Sequence, residues 1–162
     1  NTKRNTALAA LYTISETAFR DYKTQVVKQL GKAKDTVIKD EVAKDYLAKN
    51  PIDDSKIIFT GNGDVLCFDK LSGRPFMSSH EKIRQAVNDL NYELMSERWL
   101  DLNEYYSAIN LDPIPLGSKA GFDIDLGKIE PIYSSQLDKN GRPCLVIDLD
   151  IHPKYPKYTR YF

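Results

Sequence analysis

Residues 56–77 read Lys56-Ile57-Ile58-Phe59-Thr60-Gly61-Asn62-Gly63-Asp64-Val65-Leu66-Cys67-Phe68-Asp69-Lys70-Leu71-Ser72-Gly73-Arg74-Pro75-Phe76-Met77. Two short apolar runs, Lys56–Phe59 and Asp64–Phe68, flank Gly61-Asn62-Gly63. Asn-Gly supplies the positive φ angles of a tight turn, so the stretch predicts a hairpin. A second turn at Asp69–Pro75 then feeds a short strand at Phe76-Met77. Gly61-x-Gly63 is too short for a phosphate-binding fingerprint and is read as a turn.

Downstream, Ser78 or Ser79 opens an amphipathic helix. Ile83, Ala86, Val87, Leu90, Leu94 and Met95 recur at helical spacing as far as Arg98, a pattern that lays one face on a sheet. A shorter helix spans Asp101–Ile109, and residues 110–121 form a Pro/Gly-rich loop. The C-terminal third returns to strands at Phe122–Leu126, Ile129–Ser135 and Cys144–Ile151. Asp138-Lys139-Asn140-Gly141-Arg142-Pro143 echoes Asp69-Lys70-Leu71-Ser72-Gly73-Arg74-Pro75, one residue shorter, which reads as one turn chemistry used twice.

Working upstream, residues 5–30 hold neither Pro nor Gly. Leu8, Leu11, Tyr12, Ser15, Phe19, Tyr22, Val26 and Leu30 recur at three- and four-residue steps, one face of a helix. Beyond Gly31, Val37, Ile38, Val42, Tyr46 and Leu47 keep the step, and Asn50-Pro51 stops it. The expectation is either one long helix kinked at Gly31 or two helices meeting there. If continuous, it would reach about 65 Å. The fold class expected is therefore α+β: a long N-terminal helical segment plus a small antiparallel sheet packed on one amphipathic helix. The expected organisation is a helical stalk over residues 1–50 and an α+β body over 51–162, closed by an aromatic tail.

Composition bounds the function. The chain has 162 residues, 41% hydrophobic and 28% charged, a globular balance. Lys+Arg and Asp+Glu both number 23, so the chain lacks the basic excess of a dedicated nucleic-acid binder. The zero total hides +4 over residues 1–49 and −4 over the rest. Two cysteines, Cys67 and Cys144, exclude a disulfide-dense scaffold and a four-Cys zinc site. Each lies in an apolar run, so both are expected as buried thiols, with a mutual disulfide as the minor option. No run approaches the roughly 18 apolar residues of a membrane span. The chain starts Asn-Thr-Lys-Arg and reads as an excised or processed fragment.

Nothing in the sequence fixes a reaction. The best chemical candidate is Asp148-Leu149-Asp150-Ile151-His152, whose alternation places Asp148, Asp150 and His152 on one strand face. Asp123 and Asp125 alternate likewise. If the two strands paired, this set could hold Mg²⁺, Mn²⁺ or Ca²⁺. Side chains two residues apart start about 7 Å apart, however, so a wet acidic face is the simpler expectation. His80 reads as a surface residue, and neither histidine joins a nucleophile motif. No cofactor is expected. Tyr155, Tyr158 and Tyr161 crowd the last eight residues with Lys157 and Arg160. Tyrosine offers large contact area at low entropic cost, so the tail and the stripe of Tyr12, Phe19, Tyr22 and Val26 are candidate partner-binding residues. Base stacking on the tail is the less favoured alternative, and nucleic acid is judged an improbable partner.

The segments Asn5–Ser15, Tyr22-Lys23, Val26-Val27, Gly31 and Asp40–Asp45, with the C-terminal hairpin and Pro/Tyr tail, resemble a family of uncharacterised phage and prophage proteins of Gram-positive gut bacteria. The resemblance implies an apolar segment upstream of Lys3-Arg4 and no catalytic residue. By the positive-inside tendency it implies a body in the host cytoplasm at the inner face of the membrane, with virion association an open alternative. The function expected is a non-enzymatic accessory module, membrane-tethered through a segment outside this chain, that binds a protein partner or itself. The alternative is a divalent-metal-binding domain or metal-dependent enzyme built on Asp123, Asp125, Asp148, Asp150 and His152.

Overall fold

A computed structural model describes residues 32–154. They divide into two compact units: residues 32–79 with Pro131–Asp148, and His80–Glu130 with residues 149–154. The His80–Glu130 part of the second unit is thus inserted in the chain of the first.

The first unit begins with helix α1, Lys32–Lys49. Ala43 and Leu47 are buried and Tyr46 is half-buried, a three-and-four spacing that gives the helix one apolar face. Asn50 ends it by returning its amide N–H and its side-chain N–H to the Tyr46 carbonyl, each at 2.9 Å, and Pro51 forbids another turn. Strand β1 (Ile58–Phe59) follows, then β2 (Val65–Asp69) and β3 (Arg74–Ser78). After the insertion come β6 (Ile132–Leu137) and β7 (Pro143–Asp148). The five strands run in the order β1-β3-β2-β7-β6. β2–β3 and β6–β7 are antiparallel hairpins, whereas β1–β3 and β2–β7 are parallel. Leu66, Phe68, Cys144 and Val146 form one core with Ala43, Leu47 and Ile52 beneath α1.

The second unit opens with α2 (His80–Glu97), which buries Ile83, Val87, Leu90 and Leu94. Arg98, at φ 69°, turns the chain into β4 (Trp99–Asp101). Helix α3 (Leu102–Ala108) starts with a capping box: Asp101 Oδ1 accepts from Glu104 N at 2.9 Å, and Glu104 Oε2 accepts from Asp101 N at 2.8 Å. Strands β5 (Ala120–Asp123) and β8 (His152–Pro153) complete an antiparallel sheet in the order β4-β5-β8. Two asparagines substitute for missing strand neighbours. Asn103 brackets Ile114, accepting from its N–H at 2.9 Å and donating to its carbonyl at 3.0 Å. Asn91 brackets Ile129 in the same way, at 2.6 and 2.9 Å.

This architecture corrects the expected fold class. The described residues show no long N-terminal helix: the described helical run, Lys32–Lys49, is 18 residues long. The expected helix over residues 5–30 lies outside the described residues. In place of one small antiparallel sheet on one helix, the described residues form two sheets and three α-helices, and the larger sheet is mixed. The hairpin also moves. Gly61-Asn62-Gly63 does reverse the chain, but β1 pairs in parallel with β3, because the Asp69–Arg74 turn makes β3 the antiparallel neighbour of β2. Gly63 sits so close to Ser78 that a Cβ there would lie 2.5 Å from the Ser78 carbonyl oxygen. Met95, placed on the core face by periodicity, is 69% exposed. The run Cys144–Ile151 is not one strand, since β7 ends at Asp148 and the chain rejoins a different sheet at His152.

Candidate functional site

That break disperses the acidic candidates. β7 carries Asp148 between β2 and β6, whereas β5 carries Asp123 between β4 and β8. The strand pairing on which the metal reading depended does not form. Among the described residues no group of three or more His, Cys, Asp or Glu side chains could hold a metal ion. Asp123 is buried and caps the 3₁₀ turn Ile124–Leu126, accepting from Asp125 N at 2.9 Å. Asp125 is exposed and pairs with Arg98 at 2.7 Å. Asp150 and His152 are half-buried, and His152 faces Gly121 in the β5–β8 register. The partner-binding candidates Tyr12, Phe19, Tyr22, Val26, Tyr155, Tyr158 and Tyr161 lie outside the described residues.

Asp148 takes part in a different arrangement. Its Oδ2 lies 3.3 Å from Lys70 Nζ, and the two side chains are only 11% and 8% exposed. The ammonium also stands 5.3 Å from the centre of the Tyr46 ring, where the ring's negative face attracts a cation. The Tyr46 hydroxyl donates to the Lys70 carbonyl at 3.0 Å. Three elements thus meet at one buried charge pair: α1, the end of β2, and β7. Burial first, then the charges of Asp69 and Asp148, push the Tyr46 phenol up. Tyr46 therefore stays a neutral donor, which suits a fastening role. Sequence reading missed Tyr46 and Lys70, because Lys70 and Asp148 are 78 positions apart and no local period connects them.

The two echoing turns do share their chemistry. In the first, Asp69 Oδ2 accepts from the Ser72 N–H at 3.0 Å and from its hydroxyl, and Arg74 Nε donates to Ser72 Oγ at 2.9 Å. In the second, Asp138 Oδ1 accepts from Asn140 N at 2.9 Å and Arg142 N at 2.8 Å, and Oδ2 accepts from Arg142 Nε at 2.7 Å. Each turn places its glycine at positive φ, Gly73 at 67° and Gly141 at 75°. Burial raises the Asp138 carboxyl, but the bonds from Arg142 and Asn140 outweigh it and hold the group below the usual carboxylate range. Arg142 reaches on to Asp54 at 2.7 Å, tying the turn to the segment before β1.

The cysteines are buried and free. Cys67 pairs with Leu145 in register, so it faces away from Cys144, which joins the core under α1. Opposite faces rule against the minor disulfide option. Burial pushes both thiols up to about 12, away from nucleophilic use.

Several large apolar side chains stand among the polar residues of the exposed surface. Phe59, Tyr92, Met95, Leu126 and Leu137 all have exposed side chains, and Tyr92 and Met95 adjoin on the outer face of α2. No helix among the described residues is long and apolar enough to cross a membrane.

Compared with known proteins, residues 1–158 match the model of a family of unknown function, DUF6353. No curated protein matches the chain, and no solved structure does.

Proposed function

We propose that this chain, which belongs to the DUF6353 family of unknown function, is a non-enzymatic phage- or prophage-encoded interaction module that binds a protein partner. One observation carries the reading: among the described residues, Lys70, Asp148, Asp123, Asp138 and both thiols are tied into structural roles, whereas several large apolar side chains face outward. Lys70 and Asp148 fasten helix to sheet, Asp123 and Asp138 cap turns, and the thiols are buried. Tyr92, at 82% exposure, leads the outward set. Isolated exposed apolar residues are ordinary, but paired aromatic and thioether side chains on one helix face suit a contact surface.

The phage or prophage origin in Gram-positive gut bacteria rests on the resemblance of the N-terminal segments, as does tethering through an apolar segment ahead of Lys3-Arg4. The body would then work in the host cytoplasm beside the membrane, its basic arm nearest the anionic lipid. Flotation of the full-length protein with membrane vesicles supports tethering, and its recovery wholly in the soluble fraction refutes it.

The binding reading is tested by placing a photo-crosslinking amino acid at Tyr92 or Tyr158 in the producing cells. A discrete protein adduct is expected at one of these positions. No adduct at either, together with heat on titrating Mg²⁺, Mn²⁺ or Ca²⁺ that Asp123→Asn or Asp148→Asn abolishes, would overturn it in favour of the metal reading.

A further inference from the structure

Among the described residues the five-stranded sheet ends on one side at β1, two residues long, and on the other at β6, six residues long. Edge strands that must stay single are blunted with charge, proline or a bulge. β6 reads Ile132-Tyr133-Ser134-Ser135-Gln136-Leu137, with no charge and no proline. All six residues pair without interruption with β7, so no bulge bends it.

The register shows which backbone groups face outward. The Asp138 N–H donates to the Arg142 carbonyl at 2.9 Å at the mouth of the hairpin. Antiparallel pairs alternate between bonded and non-bonded, so Gln136–Cys144 and Ser134–Val146 are the bonded pairs. Leu137 faces Pro143, which has no N–H to give, as a non-bonded pair requires. The N–H and C=O of Ser135 and Leu137 therefore point away from β7, toward the open edge. On the face carrying Ser134 and Gln136, those side chains bond to Asp40 of α1, at 2.7 Å to its carboxylate and 3.2 Å to its carbonyl. On the other face Ser135 is exposed and Leu137 is 67% exposed.

We infer that β6 is a self-association edge, on which a second copy of this chain adds its own β6 antiparallel about a two-fold axis through Ser135. This rests on the interaction-module reading and names one partner for it. The occupant follows from the chemistry of the strand. A row of outward amides and carbonyls is matched by another strand, and an uncharged strand offers nothing to a charged peptide but no repulsion to itself. Centred on Ser135, the pairing sets Tyr133 of each copy opposite Leu137 of the other. The half-buried Tyr133 then borders the exposed leucine at both ends of the pairing. Pro131 and the Asp138 turn bound the run on either side. The two-residue far edge offers no equivalent, so association closes at a two-fold dimer instead of extending.

Sedimentation of the full 162-residue chain tests this. A concentration-dependent dimer is expected below about 200 µM. Ser135→Pro removes an outward N–H that the sheet does not use, and Leu137→Lys puts charge at the joint. Each should weaken association at least about tenfold, with an unshifted thermal melt at concentrations low enough that the wild type is also monomeric. Ser135→Cys gives a second readout: paired Cα atoms about 5.5 Å apart bring the two thiols within reach of a short bifunctional thiol crosslinker, which should yield a covalent dimer. Gln136→Cys, displaced from the axis, should not. A wild-type monomer throughout, a dimer indifferent to both substitutions, or equal crosslinking of both cysteine variants overturns the inference. A monomer that still forms a discrete photo-adduct sinks self-pairing alone. A monomer without an adduct sinks the partner-binding reading as well.

Discussion

Lys70→Met tests the load carried by the charge pair beneath α1. Methionine keeps most of the apolar stem and deletes the ammonium. Asp148 then loses a buried cation 3.3 Å away, in a site where the two side chains are 8% and 11% exposed. Breaking such a pair from one side costs about 3–5 kcal/mol, because the remaining carboxylate keeps its desolvation penalty. At roughly 2–4 °C per kcal/mol for a chain of this size, the melting temperature should fall by about 6–20 °C. Replacing both partners, Lys70→Met with Asp148→Leu, removes the stranded charge and should recover most of the loss. Tyr46→Phe deletes only the hydroxyl bond to the Lys70 carbonyl and should cost about 1 kcal/mol. Equilibrium urea unfolding of the wild type, Lys70→Met, Asp148→Leu and the double variant closes a double-mutant cycle on Lys70 and Asp148. A Lys70→Met loss under about 0.5 kcal/mol, or a double variant no better than the single, would refute the reasoning.

Three further outcomes are expected. Asp138 titrates below the ordinary carboxylate range, so the stability it contributes is complete above about pH 4 and is lost as pH falls through its lower folded value. Asp138→Asn should flatten that acid limb, and an unchanged pH–stability profile would count against the turn assignment. Gly63→Ala forces a Cβ to within 2.5 Å of a backbone carbonyl and should cost more than about 2 kcal/mol by chemical denaturation. Gly61→Ala, with open space around it, should cost only its positive φ, about 1 kcal/mol. Cys67 and Cys144, with thiols at about 12, should resist thiol reagents at pH 8 until the chain is unfolded. Fast modification of either in the native protein would show that the strand core opens.

Local rules carried the two helices between Ser79 and Ile109 well. Ile83, Val87, Leu90 and Leu94 lie on the buried face that their spacing requires, and Asp101 with Glu104 closes the short helix after β4. The turns were also legible, because Asp, Gly and Arg act within a few residues of one another. Strand partnership was not. Period-two alternation through Cys144–His152 is real, yet alternation says nothing about which sheet a residue joins, so Asp148 and His152 looked like neighbours on one strand. The hairpin at Gly61–Gly63 failed for the same reason: two turns competed for the edge of β2, and the one with the Asp69–Ser72 bonds took it. The pairing of Lys70 with Asp148 depends on a contact across most of the folded chain, which no window of sequence contains.

The inserted unit sets an order of events during synthesis. Cys67 and Leu145 are register partners, so the parallel seam between β2 and β7 has no second half until Leu145–Ile147 has left the ribosome. Until then the β2–β3 hairpin is complete, while one side of β2 stays raw. The residues between must be translated, and His80–Glu130 can collect most of their own contacts meanwhile. Such late closure slows folding and leaves a sticky nascent species, so a truncation before β7 should produce insoluble chains, not a smaller working head.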